Sequence, residues 1–224
     1  VNTTLSFANL VVAVPGVNGA QLKQLLEWGV GAASPSGAAN GRYPQISGMK
    51  VVYDTDRIAA NLFYNADGSF NESAAGFAFG DRVREIVLDD GTVLVADGIV
   101  VDSTTLFSLG TIDFLARENP ATPGRGGDNY PFAAVGLDRF DNPVQARLYA
   151  EALSDFVQAP ESEGGLGGVI SAGRYGIDDY TQFQGRSYDL AVAVPEPTTW
   201  ALMIGGLAFV GFAARRRPGA SPGA

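Results

Sequence analysis

Phe114-Leu115-Ala116 and, after a short interruption, Gly126-Gly127-Asp128-Asn129-Tyr130 place an aromatic ring and a carboxylate near one glycine turn. A flat ring offers a π face on which a base can stack. Adjacent glycines adopt positive φ and let the backbone approach a ligand closely, and an ionised carboxylate accepts hydrogen bonds from hydroxyls. Together these groups have the chemistry needed to hold a nucleoside. Taken alone, the same pattern also describes a core aromatic packed ahead of a Gly-Gly turn, so the elements around it decide its meaning.

Those elements can be placed from spacing and punctuation. The β-branched apolar run at Phe7 to Val14 predicts a buried strand. Leu22, Leu25, Leu26 and Val30 recur at helical spacing over residues 18 to 30, with Asn18 as N-cap and Gln21 three positions on. Gly31 to Gly41 is a loop of small residues, and Ile46 to Tyr53 is a strand. Arg82 to Leu88 and Thr92 to Ala96 alternate across Asp89-Asp90-Gly91 as a hairpin, and Thr104 to Phe114 is a further strand that ends at the ring. Asn142-Pro143 opens a helix running to about Gln158, with an apolar face of Val144, Leu148, Leu153, Phe156 and Val157 that suits a core position. There is no internal repeat. The expected class is α+β, a mixed sheet of residues 7–14, 46–53 and 104–114 that buries Leu22, Leu25 and Leu26 of a packed helix, with a hydrophobic helix at the C-terminus.

Taken in order, four blocks resemble a known family: Leu5-Ser6-Phe7-Ala8-Asn9 with the apolar run after it, Gly19 to Val30, Gly41-Arg42-Tyr43-Pro44-Gln45-Ile46-Ser47-Gly48 leading to Asp54, and the Phe114 to Tyr130 segment. Over about residues 4 to 135 the chain is similar to the C-terminal substrate-binding domain of the secreted 5'-nucleotidase family. The resemblance implies that Phe7 and Phe114 sandwich the base of a nucleotide or nucleoside. It further implies that Asp128 accepts from the ribose hydroxyls while Gly126 and Gly127 let the sugar come close. One departure is plain, because family members run almost directly from Phe-Leu-Ala into Gly-Gly-Asp, whereas here Arg117 to Arg125 intervene. That insertion either bulges out and preserves the site or displaces Asp128 from Phe114.

In the family, a metal-dependent phosphoesterase domain rich in His and Asp precedes this one. The resemblance therefore implies a nucleotide-binding part of an exported metallophosphohydrolase, with divalent metal ions in a catalytic domain outside these residues and no cofactor or catalytic residue here. The alternative is a noncatalytic surface or matrix protein that keeps the binding fold.

Composition agrees with a binding role. The 224 residues carry no histidine and no cysteine, which removes the commonest general base, imidazole metal ligands and thiol chemistry. With 24 acidic against 15 basic residues, the chain lacks the basic face that a nucleic acid demands. Asp54-x-Asp56, Asp89-Asp90-Gly91 and Asp178-Asp179 complete no recognisable calcium loop and suit turns. Trp28, on a helix, suits packing, whereas Tyr43 suits packing or a ligand equally. Val1-Asn2-Thr3-Thr4 shows no signal peptide, so the sequence is expected to be a fragment or a processed piece.

The C-terminal end is the most legible. Val194-Pro195-Glu196-Pro197 precedes the uncharged stretch Trp200 to Ala214, which Arg215-Arg216-Arg217 closes. As a helix the uncharged stretch would reach about 22 Å, short of a hydrocarbon core of about 30 Å, and the arginines would mark a cytoplasmic end. Pro195, Glu196 and Pro197, the apolar stretch and Arg215, Arg216 and Arg217 resemble the PEP-CTERM sorting signal of Gram-negative bacteria. That resemblance implies an exosortase-type protease as partner, transient inner-membrane anchoring through a transmembrane helix, and export to the cell surface or beyond. The expected organisation is a binding domain over 1–160, an appended element and linker over 161–193, the sorting signal over 194–217 and a tail over 218–224.

Overall fold

The computed structural model describes residues 7–33, 41–137, 147–169 and 186–191. The chain divides into two units, 1–191 and 192–224. Every described residue belongs to the first, so Pro195 to Pro197, Trp200 to Ala214 and Arg215 to Arg217 lie outside them. Among the described residues no helix is long and apolar enough to cross a membrane.

The expected α+β mixture forms, but as two sheets rather than one. Strands β1 (Val11–Val17) and β6 (Phe107–Ile112) pair antiparallel, with Val11 opposite Ile112 and Val14 opposite Leu109. The second sheet has the order β5 (Ile99–Val100), β4 (Val93–Ala96), β3 (Val83–Leu88), β2 (Met49–Tyr53), β7 (Ser187–Asp189), with β2 and β7 parallel and the other pairs antiparallel.

Strand β1 is displaced from the expected 7–14. It starts at Val11 and runs through Pro15-Gly16 to Val17, with its register slipping between Val14 and Val17. Proline has no N–H to give a ladder, and Gly16 takes φ 70°, so the pair accommodates both as a bulge. Strand β6 stops before Phe114 because Asp113 opens the one-turn helix α2 (Asp113–Ala116), so the ring sits on a helix rather than on a strand.

Helix α1 (Gly19–Val30) forms where the apolar spacing puts it. Asn18 accepts from the Gln21 amide at 3.0 Å while the Gln21 side chain accepts from the Asn18 amide at 3.1 Å, a complete capping box. Leu22, Leu25, Leu26 and Val30 are buried in a core shared with Val12, Val14, Val51, Val83, Ile86, Leu94 and Val95. Each such leucine contributes about 1.5–3 kcal/mol of burial. Glu27, 1% exposed, is buried with them. Its carboxylate accepts from the Arg82 and Val83 amides at 2.9 and 3.0 Å and from Lys23 at 2.6 Å, which bolts the helix to the start of β3.

Helix α3 (Tyr149–Gln158) corrects two expectations. Leu148 is extended and unhelical, so the helix begins later than Asn142, which itself lies outside the described residues, as does Val144. No α3 residue is fully buried, and Leu153 and Phe156 are exposed, so this helix is not core. The segment expected to be an appended element and linker carries β7, which donates and accepts along β2: the Val51 amide donates to Arg186 and the Leu190 amide to Tyr53, both at 2.7 Å. Asp189, buried, accepts from the Thr55 amide at 3.0 Å and from its hydroxyl at 2.8 Å. The remainder of the expected appended element, 170–185, lies outside the described residues.

Candidate functional site

The site is assembled by a short clip between distant parts of the chain. The Leu10 amide donates to the Asp113 carboxylate at 2.8 Å, and the Asp113 amide donates to the Leu10 carbonyl at 2.9 Å. This exchange extends the β1–β6 pairing by one step and brings the residues before β1 alongside α2. Phe7 and Phe114, one on each side of the clip, both line a single cleft of about 870 Å³, and Asp128 lines it too. Both rings are open to solvent, Phe7 at 74% and Phe114 at 49% exposure, which is unusual for large apolar side chains in a packed position. Leu22, Leu25 and Leu26 form its apolar floor, and residues 41–49 supply the facing wall. The volume falls within the range of small-molecule sites.

The segment from Arg117 to Arg125 is an excursion that closes on itself. The Asn119 amide donates to Arg125 at 2.9 Å, the Thr122 amide to Asn119 at 2.8 Å, and the Gly124 amide to the Glu118 carboxylate at 2.6 Å. The chain thus returns to α2 and keeps Asp128 on the same cleft as Phe114. Gly126 and Gly127 are required there by packing. A Cβ at Gly127 would lie 2.3 Å from the Phe114 ring, and one at Gly126 would lie 2.0 Å from the Leu115 carbonyl oxygen. Neither glycine figures among the lining residues, so their contact is with α2 rather than with the open cleft.

Asp128 sits in a 3₁₀ turn (Gly127–Asn129) with φ 51°, followed by Asn129 at φ 58°. Asp and Asn tolerate this left-handed conformation better than other side-chain-bearing residues, though at a cost. Several donors hold the turn. The Gly126 amide donates to Tyr130 at 2.9 Å, the Tyr130 amide to Gly127 at 3.1 Å, and the Trp28 indole N–H to the Asp128 carbonyl at 2.9 Å. Trp28 packs against the core as expected and, in addition, its indole reaches the Asp128 turn from α1.

The facing wall is tied in by aromatic residues. The Tyr130 hydroxyl donates to the Arg42 carbonyl at 2.7 Å, and the Arg42 guanidinium lies 4.0 Å from the Trp28 ring centre, a cation–π distance. Burial lowers the Arg42 pKa, and the neighbouring Tyr130 and Asp128 work against that shift. Arginine nevertheless stays cationic at physiological pH. Burial, above all, holds the Tyr130 hydroxyl well above the ordinary phenol range. Tyr43, left between packing and ligand by the sequence, packs: its hydroxyl shares a 2.5 Å hydrogen bond with Ser187 of β7 and its ring is 5.9 Å from Tyr53, while one side of it lines the cleft. Arg42 was the residue that sequence spacing did not single out. Its only local signal is its place in Gly41-Arg42-Tyr43-Pro44. Among the described residues no group of three or more His, Cys, Asp or Glu is placed to hold a metal ion.

The first unit is thus a two-sheet α+β fold with open aromatic rings and a carboxylate on one largely apolar cleft. Comparison with protein families gives it a lineage: the family described as 5'-nucleotidase, C-terminal domain, matches residues 1–124, more than half the chain, and the chain belongs to that family. The PEP-CTERM protein-sorting motif matches residues 193–217, which marks an exported protein of the Gram-negative type and implies exosortase-type processing. Phe7 and Phe114 fall inside the matched domain, whereas Gly126, Gly127 and Asp128 lie just past its end. No curated protein and no solved structure gives a significant match.

Proposed function

We propose that the cleft binds the nucleoside part of a nucleotide for an exported 5'-nucleotidase-like phosphohydrolase. Phe7 and Phe114 grip the base, and Asp128 accepts hydrogen bonds from the ribose hydroxyls. The observation that carries this reading is that Phe7, remote in sequence, lines one cleft with Phe114 and Asp128. Hydrolysis itself belongs to a metal-dependent domain outside these residues, and binding here contributes by placing the phosphate for attack. In calorimetric titration of the full chain with adenosine, Phe114→Ala is expected to weaken binding by about tenfold or more, since a stacked base is worth ~1–3 kcal/mol. Unchanged affinity would remove the ring from the site.

The sorting motif completes the proposal. The protein is held transiently in the inner membrane by residues 200–214, cut near Pro195-Glu196-Pro197 by an exosortase-type protease, and released to the cell surface or the extracellular space. In a host with an active exosortase, mass spectrometry of the surface-exposed protein should recover no peptide from residues 202–214. An intact tail on the mature protein would make it a plain membrane anchor.

A further inference from the structure

Asp128 can serve a ligand only if its turn is held in a conformation that non-glycine residues avoid. Asp128 and Asn129 are consecutive residues at φ 51° and 58°. Such strain persists where surrounding groups over-determine it. Two of the holding bonds, Gly126 to Tyr130 and Tyr130 to Gly127, are internal to the turn and close it without fixing where it lies on the domain. The Trp28 indole donates from helix α1, an element capped at one end and buried along its stripe, to the carbonyl of Asp128 itself. Trp28 does not line the cleft.

We infer that Trp28 is a positioning residue for the ribose-binding carboxylate, acting through the Asp128 peptide and not through the ligand. The inference rests on the nucleoside reading above. Arg42 backs it from the other side: its guanidinium covers the Trp28 ring, and its carbonyl is held by Tyr130, the residue that closes the turn. The three segments 28, 42 and 128–130 thus form a closed brace around the Asp128 turn. Without the indole N–H, the Asp128 carbonyl loses its only donor from outside the turn among the described residues, and the peptide is free to leave the left-handed region, which carries the carboxylate away from the cleft.

The test separates this role from general support of the fold. Adenosine and 2',3'-dideoxyadenosine share the base and differ in the hydroxyls that Asp128 would accept from, so the ratio of their affinities reports the carboxylate alone. The full chain is expected to favour adenosine, and Trp28→Phe, which keeps a ring for Arg42 but removes the N–H, should lower that ratio by about threefold to tenfold. Asp128→Asn should lower it as well, and Trp28→Phe added to it should lower it no further, because the two act as one unit. A Trp28→Phe chain that folds and keeps the full ratio overturns the inference while leaving the site intact. A wild-type chain with no preference between the two ligands, or no affinity for either, overturns the nucleoside reading itself. If Trp28→Phe does not fold, the indole N–H resonance of Trp28 in the wild-type chain decides: a shift on adding adenosine but not dideoxyadenosine supports the coupling, and equal response to both, or none, defeats it.

Discussion

Helices α1 and α3 both carry apolar residues three and four apart, yet α1 buries seven of its twelve residues and α3 buries none of its ten. Periodicity is satisfied in both, so it does not set depth. What differs is the partner layer and the termination. Helix α1 lies over β3, β4 and β5 with a complete capping box ahead of it, whereas α3 follows an extended Leu148 with no side-chain cap. Helix α3 is instead tethered through backbone: the Tyr149 amide donates to Asn9 at 3.0 Å, and Leu166, Gly167 and Gly168 donate back to Phe156, Ala159 and Val157. An amphipathic stripe becomes core only where a sheet face meets it.

The strongest break in that comparison is at Glu27. It is the one charged residue in the buried stripe of α1, and its carboxylate serves the buried Val83 amide, the partly buried Arg82 amide and Lys23 at once. Glu27→Ala leaves those donors without an acceptor and is expected to cost about 3–5 kcal/mol. Chemical denaturation would show it as a large drop in midpoint with little change in slope. A loss below about 1 kcal/mol would mean that α1 is held by its leucines alone.

Tyr64 sharpens the same contrast from the opposite side, since its buried hydroxyl has no hydrogen-bond partner among the described residues. The Arg125 guanidinium stacks 4.3 Å from its ring, which a phenylalanine would preserve. Tyr64→Phe should therefore raise stability at neutral pH by up to about 1 kcal/mol. The pH dependence follows from the same burial, which pushes the Tyr64 pKa up to about 12, outweighing the nearby Arg125 charge. In the unfolded chain the phenol titrates near its ordinary value of about 10, so the unfolded state sheds its proton first. Stability is intact below about pH 10 and falls as pH rises toward 12. Tyr53 and Tyr130, also held up chiefly by burial, add to the loss from about pH 10 and carry it beyond the range of Tyr64. Tyr64→Phe should flatten the first part of the fall, and an alkaline profile identical to wild type would show that Tyr64 is open to water.

Much of the frame was legible in the sequence because it is local. Asn18 and Gln21 announce α1, the 3,4 spacing of its leucines announces its buried face, and Asp89-Asp90-Gly91 announces the β3–β4 turn. What escaped depends on long-range contact. Asp113 ends β6 early because its carboxylate captures the Leu10 amide, a choice no window around residue 113 contains. The pairing of β7 with β2 joins three residues near 188 to a strand near 52, without alternation or turn chemistry to signal it. For the site, Phe7, Phe114 and Asp128 came from family resemblance, and the fold does bring them to one cleft. Trp28 and Arg42 came only from the structure, since the indole's acceptor is a backbone carbonyl 100 residues away.

The smallest effect is expected where α3 faces solvent. Phe156 is 42% exposed, and it is its backbone carbonyl, not its ring, that accepts from Leu166. Truncating the side chain leaves that bond in place and opens no enclosed cavity, because the ring is already open to solvent on one side. Phe156→Ala should thus cost about 0.5 kcal/mol, in the range of surface substitutions, against the several kcal/mol expected at Glu27. Urea unfolding of the two variants side by side measures the ratio directly. If Phe156→Ala proved as damaging as Glu27→Ala, the apolar face of α3 would have to be covered by another part of the chain, and α3 would count as core alongside α1.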